Sequence, residues 1–342
     1  MKRQSNLELL RIVAMLMVLV LHANYFSLGI PTSEDVSAHP MTELTRIFVE
    51  AVCVVAVNAF VLISGWFGIT PRFCHLAGFI FQVAFFAVFG SIVAMILGSY
   101  GWNRPAGGWL VILLGWNYWY VKAYIILYIC SPMLNAFVNQ ANRLQLLKLI
   151  VVFFSVQTIY GWYLGNGGYF NRGYSPLSMM GLYLLARYLR LYGDRLLKIS
   201  WGGHFLLYMT TSLMIAMLDL LEIQRGAEWH ILAYSNPLVI FSSVFLFMAF
   251  VKIDIGKMRV VNFLASSAFA AYLFHYHEDI LHTFYTAYIE NWYFNCTIPV
   301  FLLYTIGWIL ALFCAAIVID QIRKLLWFFF EKFYCVLNNK LY

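Results

Sequence analysis

An arginine and a histidine lie eleven positions apart in the first long apolar segment of the chain, at Arg11 and His22. At about 100° per residue, eleven helical steps return to within about 20° of the starting direction and rise roughly 16 Å. Both side chains therefore share one helix face, at two depths. A guanidinium group binds anions, and an imidazole transfers protons or forms covalent intermediates near neutral pH. Glu8, three residues before Arg11, falls on the same side and can pair with it.

Both residues also have plain structural explanations. Arg11 can extend its charge to the nearby membrane surface, and His22 can hydrogen-bond a neighbouring helix. A charge inside hydrocarbon costs roughly 2.5 to 3.5 kcal/mol on insertion scales, which favours a pairing or functional role. The segment is too long for a signal peptide and lacks a small-residue cleavage site, so we expect it to be retained.

A second group of titratable residues lies in SSAFAAYLFHYHEDILH. Its members His275, Glu278, Asp279 and His282 follow at i, i+3, i+4 and i+7, which predicts one shared helix face. Two histidines and two carboxylates are suitable zinc ligands, but this spacing is looser than that of helical zinc motifs. We therefore expect no metal here, and interpret the group as a carboxylate that orients a histidine.

Two further sites contain polar residues near predicted membrane boundaries. Lys122 lies about one turn inside a predicted span, where it reaches water or an internal partner, and Tyr124 continues a polar stripe with it or beside it. Interfacial packing is the plain explanation for the tyrosine.

Arg72 and His75 follow the second predicted span on the cytoplasmic side, where topology alone accounts for a positive charge.

The elements that must position these side chains are membrane helices. The chain is 63% hydrophobic, 19% aromatic and only 11% charged, with a mean hydropathy of +0.78. This exceeds the apolar share of soluble domains, so we predict an all-α, polytopic integral membrane bundle. The net charge of +7 includes no basic run interleaved with aromatic residues, which argues against nucleic-acid binding. The six cysteines lack CxxC spacing, so we interpret them as small core residues.

Apolar stretches of membrane length predict about ten transmembrane helices. They are residues 7–28, 46–69, 75–99, 118–138, 145–164, 175–192, 203–221, 234–251, 262–286 and 297–320. Residues 109–116 are too short to span, and we expect them to lie at the interface or to re-enter. No soluble appendage is evident, so residues 1–342 are interpreted as a single membrane domain.

The distribution of charge predicts the orientation of these spans. Lys and Arg residues concentrate at the two ends and in the loops that follow even-numbered spans, whereas acidic residues such as Glu34, Asp35 and Glu290 fall in the opposite loops. Since cytoplasmic loops are enriched in Lys and Arg, both termini are predicted to be cytoplasmic. Arg11 then lies near the inner face, and His22 lies in the outer half.

Four landmarks occur in order along the chain: NLELLRIVAMLMVLVLH, FVLISGWF, WYVKAYIILYICSP and FAAYLFH. Together they resemble acyltransferase family 3, the polytopic membrane acyltransferases that modify cell-surface carbohydrates. The resemblance implies transfer of an acyl group, usually acetyl, from cytoplasmic acyl-CoA to a carbohydrate hydroxyl on the outer side. It implies an enzyme of the bacterial inner membrane that uses acyl-CoA as a donor substrate and holds no tightly bound cofactor.

The resemblance also implies roles for individual residues. His22 takes the position of the family's essential histidine and Arg11 that of its paired arginine, which Glu8 orients. Where the family shows two arginines three residues apart, this chain has Arg72 and His75. These side chains, with Arg11, are assigned to the CoA phosphates. Separately from the resemblance, we expect Lys122, Tyr124, His275 and Glu278 to lie on the acceptor side.

Several alternatives remain open at the level of sequence. His22 can act as a general base, or it can carry the acyl group itself as a covalent relay. A transporter or flippase for a glycan or lipid-linked substrate also suits intramembrane Arg, Lys and His, although no inverted repeat is evident. A sensor or scaffold would not need the face shared by Arg11 and His22. The acceptor, the acyl group and the oligomeric state cannot be read from the residues.

Overall fold

The computed structural model describes residues 4–97, 118–164 and 168–338, and every regular element in these ranges is helical. The α-helices are α1 Ser5–Leu21, α2 Ser33–Ala38, α3 Pro40–Cys53, α4 Ala56–Phe67, α5 Phe73–Ile96, α6 Trp119–Gln140, α7 Arg143–Val156, α8 Pro176–Tyr192, α9 Asp194–Leu197, α10 Trp201–Arg225, α11 Pro237–Lys252, α12 Arg259–Ala265, α13 Ala268–His275, α14 Glu278–Ile280, α15 Ala287–Asn295 and α16 Ile298–Asn338. Wider π-helical turns cover His22–Phe26, Gln157–Tyr163 and Leu281–Thr286. The predicted segment 109–116 lies outside the described residues.

Within those ranges, seven helical segments are long and apolar enough to cross a membrane. They are Ser5–Phe26, Pro40–Phe67, Phe73–Ile96, Trp119–Gln140, Arg143–Tyr163, Trp201–Arg225 and Ile298–Glu331. The predicted all-α membrane fold is therefore confirmed. The count of ten spans and the cytoplasmic position of both termini stay predictions, because α8 and α11 are shorter and the predicted ninth span is broken.

The helix that contains the start of the predicted second span, α3, begins earlier than the apolar pattern indicates. Thr32 and Asp35 form a capping box at the start of α2, and Pro40 occupies the first turn of α3, where its missing N–H is tolerated. The hydrogen bonds from Thr32 hold the pKa of the exposed Asp35 carboxyl below its usual value. Polar residues before position 46 are thus helical.

The predicted ninth span is not one helix. Helix α13 ends at His275, and α14 begins at Glu278, so the prediction that His275, Glu278, Asp279 and His282 share one face is wrong. The backbone leaves the helix at His277, whose Nε2 lies 3.2 Å from Ser91 Oγ and 3.1 Å from the Ala87 carbonyl oxygen. Its ring also packs on Gly90, where an added Cβ would lie 2.6 Å from it. Packing of this histidine against α5 therefore accompanies the break.

The cysteine prediction is partly wrong. Cys53 is buried, but Cys74 and Cys314 are exposed on the surfaces of α5 and α16. In a membrane protein the lipid-facing surface is as apolar as the core, so an apolar sequence context does not distinguish the two.

The chain divides into two compact units, and the prediction of a single domain over residues 1–342 stays a prediction. The first unit comprises Met1–Pro71 and Trp119–Asn262, and the second comprises Arg72–Tyr118 and Phe263–Tyr342. In the first unit α4 packs on α8, α1 and α11, while α10 packs on α3 and α11. In the second unit α13 packs on α5 and α16.

Helices α4 and α8 lie close together at Gly65, in the FVLISGWF landmark. A Cβ added there would lie 2.7 Å from both the Ala186 Cβ and the Tyr183 carbonyl oxygen of α8. Beyond Gly68, three hydrogen bonds close a ring: Ile69 N–H donates to the Tyr183 hydroxyl (3.0 Å), which donates to Asn135 Oδ1 (2.6 Å), and Asn135 Nδ2 donates to the Ile69 carbonyl (2.8 Å). Helices α4, α6 and α8 are thereby fixed to one another at the end of α4.

Candidate active site

The first turns of α1 hold an ion pair between Glu8 and Arg11. Arg11 Nη1 lies 3.0 Å from both carboxylate oxygens of Glu8. The Glu8 side chain is 6% exposed and that of Arg11 is 34% exposed, so the pair joins a buried carboxylate to a partly hydrated cation. An acidic side chain in the first turn also interacts favourably with the helix dipole. The pairing predicted from the spacing is present.

Aromatic hydroxyl groups of α6 lie near the same arginine. Arg11 interacts electrostatically with Tyr120 and Tyr124, whose rings stack at a centroid distance of 5.9 Å. The Tyr124 hydroxyl lies 3.5 Å from Ser64 Oγ of α4. Polar groups from α1, α4 and α6 therefore meet here. Lys122 is half-buried and lies about 200° around α6 from both tyrosines.

His22 begins the π-helical turn that continues α1. Its ring lies 5.5 Å from the Phe26 ring, and its carbonyl oxygen accepts a hydrogen bond from Ser27 Oγ at 2.6 Å. The imidazole is half-buried. Because α1 is unbroken from Ser5 to Leu21, Arg11 and His22 stand on one helical segment at the predicted spacing. Single π turns inside α-helices occur frequently at functional sites.

A buried polar network follows directly after His22. Asn24 Nδ2 donates to the Glu50 carboxylate at 2.9 Å and to the Arg46 carbonyl oxygen at 2.8 Å. Arg46 donates in return through Nε to Asn24 Oδ1 at 3.1 Å and through Nη1 to Glu43 Oε2 at 2.6 Å. Glu43, Asn24 and Glu50 are all buried. The network ties the π turn to α3.

The next residue along, Tyr25, fixes the turn to a third helix. Its hydroxyl donates to Asp219 Oδ2 of α10 at 2.9 Å, and both side chains are buried. The Arg46 guanidinium lies 6.0 Å from the centre of the Tyr25 ring. Asn24 and Tyr25, both within the turn, are thus held by α3 and α10, two and three residues after His22.

Sequence reasoning missed this support. One local signal was available: Glu43, Arg46 and Glu50 are spaced i, i+3 and i+7, which marks one polar face of a helix. Tyr25 and Asp219 are 194 residues apart and carry no local signal of their pairing.

The other predicted site residues belong to the second unit. Arg72 precedes α5 and His75 lies in its first turn, and both are exposed. His275 is buried, donates from Nδ1 to the Ala271 carbonyl oxygen at 2.6 Å and packs 5.3 Å from the Tyr285 ring. Glu278 is exposed at the start of α14. The described residues bring no three His, Cys, Asp or Glu side chains together as a metal site.

The long apolar helices define a multi-pass helical membrane protein. Residues 4–320 match the family model described as an acyltransferase domain. The match covers nearly the whole chain, which therefore belongs to acyltransferase family 3. No curated protein and no solved structure gives a significant match to the chain.

Proposed function

We propose that this membrane acyltransferase moves an acetyl or similar small acyl group from cytoplasmic acyl-CoA to a hydroxyl of a cell-surface or exported carbohydrate, with His22 as the central catalytic residue. The observation that carries the proposal is the position of His22. It opens a π turn that α3 and α10 support, on the same helix as the Glu8 and Arg11 pair. Such rigid support suits a side chain that must meet two substrates.

Acyl transfer at this histidine has two balanced routes. As a general base, His22 takes the proton of the acceptor hydroxyl while the hydroxyl oxygen attacks the thioester carbonyl. The C–S bond then breaks, and the CoA thiolate takes the proton from the imidazolium. As a relay, the unprotonated imidazole nitrogen attacks the thioester carbonyl, the C–S bond breaks, and CoA leaves as the thiolate. The acceptor hydroxyl then attacks the acyl-imidazolium, the bond from nitrogen to the acyl group breaks, and the hydroxyl proton goes to the CoA thiolate, which returns His22 to its neutral form.

The neighbouring residues suit supporting roles in either route. Arg11 faces the two aromatic hydroxyl groups of α6 and the buried Glu8, so its charge is held in place for an anionic part of the donor. The family pattern assigns Arg72 to the CoA phosphates, and we propose the same role for His75, which stands where the family has a second arginine. We propose the bacterial inner membrane as the location, since an acceptor on its outer side and a cytoplasmic donor require a membrane between them.

The test uses membranes that contain the wild type, His22→Ala or His39→Ala, supplied with acetyl-CoA labelled in its acetyl group. His39 is an exposed histidine outside the site and serves as the matched control. We expect the label to reach surface glycan with the wild type and with His39→Ala, and transfer to fall at least 100-fold with His22→Ala, in the range of lost acid–base catalysis. The unfolding midpoint of purified His22→Ala protein checks that it folds.

Equal transfer by all three proteins would make His22 structural and reject the mechanism. A wild type that turns over no acyl-CoA with any acceptor would reject the enzyme, and glycan or lipid transport would then be the function to test.

A further inference from the structure

A cavity of about 850 Å³ opens in the first unit, where α1 begins and α4, α8 and α11 end. Under the predicted topology this end of the unit is cytoplasmic. The volume of the cavity lies within the range of about 300 to 1,000 Å³ that is typical of small-molecule sites. The cavity is separate from the network behind His22, because none of the residues of that network lines it.

The charge of the cavity is mostly positive. Arg190, Lys252 and Lys257 line it, and all three side chains are exposed to solvent. The acidic lining residue is Asp254, whose Oδ1 accepts a hydrogen bond from the Gly256 N–H at 2.9 Å and so is engaged in its own loop. Three cations around one opening favour a ligand with several negative charges, such as a phosphorylated nucleotide.

Trp66 gives the cavity an aromatic wall with an unused donor. The side chain is 3% exposed, and the Arg190 guanidinium lies 4.8 Å from the centre of its ring. Its buried Nε1–H has no hydrogen-bond partner within the part of the chain that the structure describes. A buried donor without an acceptor is costly, so a ligand oxygen in the cavity would stabilise it.

Two hydrogen bonds beside the cavity join the end of α11 and the loop after it to the first turn of α1. Asn6 Nδ2 donates to the Phe250 carbonyl oxygen at 2.9 Å, and Ser5 Oγ accepts from the Met258 N–H at 2.9 Å. The loop after α11 is thereby fastened to the first turn of the helix that carries Arg11 and His22. The N-terminus of α1 adds the positive end of its dipole to the cations of the cavity.

We propose that this cavity binds the phosphoadenosine end of acyl-CoA, with Arg190, Lys252 and Lys257 on the phosphates and Trp66 beside the nucleotide. The inference rests on the proposed function and extends it by placing the polar end of the donor at the start of α1. The pantetheine arm then follows α1 past Arg11 toward His22. An anionic lipid headgroup shares the phosphate chemistry, so the experiment separates the two ligands.

The test compares wild type, Arg190→Ala/Lys257→Ala and Arg195→Ala, each purified with and without added phosphatidylglycerol. Arg195 is an exposed arginine on the same predicted side that does not line the cavity. Equilibrium binding of CoA is measured, and transfer is followed from acetyl-CoA and from S-acetyl-pantetheine, which lacks the nucleotide. We expect CoA binding to weaken and KM for acetyl-CoA to rise about tenfold or more in the double variant alone. Transfer from S-acetyl-pantetheine stays at the wild-type rate, which excludes misfolding.

A second variant, Trp66→Phe, keeps an aromatic side chain, although a smaller one, and removes the indole N–H. We expect it to weaken CoA binding by a few fold without changing transfer from S-acetyl-pantetheine.

Two outcomes would overturn the inference and leave the proposed function standing. In one, the double variant binds CoA as tightly as an active wild type. In the other, CoA binding is unchanged but the double variant loses its response to phosphatidylglycerol, which makes the cavity a lipid site. A wild type that neither binds CoA nor transfers from either donor would instead reject the proposed function, and the inference with it.

Discussion

Asn24 and Arg46 exchange two hydrogen bonds, one from the Asn24 amide to the Arg46 carbonyl oxygen at 2.8 Å and one from Arg46 Nε to Asn24 Oδ1 at 3.1 Å. Arg46 Nη2 also donates to the Gly29 carbonyl oxygen at 2.5 Å, so the three guanidinium nitrogens serve three different partners. The two arginines of the site differ in this respect, because Arg11 uses one nitrogen for both oxygens of Glu8.

Arg46→Lys is expected to fail as a conservative change. A lysine ammonium is a point charge that cannot reach three partners arranged around a planar fork, so buried acceptors lose their donors. We expect the free energy of unfolding to fall by about 2 kcal/mol or more, with transfer reduced in parallel. Thermal unfolding in a fixed detergent measures the change. Wild-type stability in Arg46→Lys would show that the three contacts do not act together.

Arg11→Lys is expected to be tolerated. A single ammonium group can take the place of the one nitrogen that contacts Glu8, so stability should stay within about 1 kcal/mol of the wild type. Arg11→Ala leaves the buried Glu8 carboxylate without this cation, and we expect a loss of about 1 to 2 kcal/mol because Arg11 itself is partly exposed. Unfolding midpoints of the two variants, compared under the same conditions, decide between these expectations. The prediction is wrong if lysine and alanine are equally destabilising.

Tyr25→Phe removes the hydroxyl that donates to Asp219 and leaves a buried carboxylate short of a donor. We expect a loss of roughly 1 to 3 kcal/mol in the free energy of unfolding. Asp219→Leu should be destabilising too, whereas the double variant should cost less than the sum of the single changes, since both polar partners are then absent. A double-mutant cycle of unfolding free energies measures this coupling. Strict additivity would argue that the hydrogen bond contributes nothing.

Gly65→Ala is expected to destabilise the first unit by roughly 1 to 3 kcal/mol, because the new methyl group meets the α8 backbone at 2.7 Å, and a backbone cannot move aside as a flexible side chain can. Gly202→Ala is the matched control, since an added Cβ in α10 would meet nothing within 4 Å. That change should be neutral or stabilising by up to about 1 kcal/mol. Equal midpoints for the two variants would contradict the packing argument.

The features that sequence predicts well are those fixed by local geometry or by the membrane. Long apolar segments predict helices because hydrocarbon demands internal backbone hydrogen bonds, and the i, i+3 spacing of Glu8 and Arg11 predicts their ion pair. The break at His277 follows no glycine or proline, so the apolar pattern reads as one continuous span. At the break the His277 ring packs on α5, and local sequence does not specify that contact.

The support behind His22 shows the same limit within the candidate site. The types and spacing of Arg11 and His22 were readable from one segment, but the π turn was not, because α and π turns share the same apolar pattern. The contact between Tyr25 and Asp219 joins the π turn to a helix far along the chain. Chemistry-bearing residues can thus be found from sequence, while the groups that hold them in place require the fold.

The π turn at His22 changes the directions in which the side chains point along one continuous helix. A π turn holds about one more residue than an α turn, so each side chain after it is rotated by roughly 100° from where an unbroken α-helix would place it. Asn24 and Tyr25, which lie within the turn, therefore point in directions different from those they would take on a continued α-helix after Glu8 and Arg11. A single helix can thus present the Glu8 and Arg11 pair in one direction, while Asn24 and Tyr25 in the turn hydrogen-bond to α3 and α10.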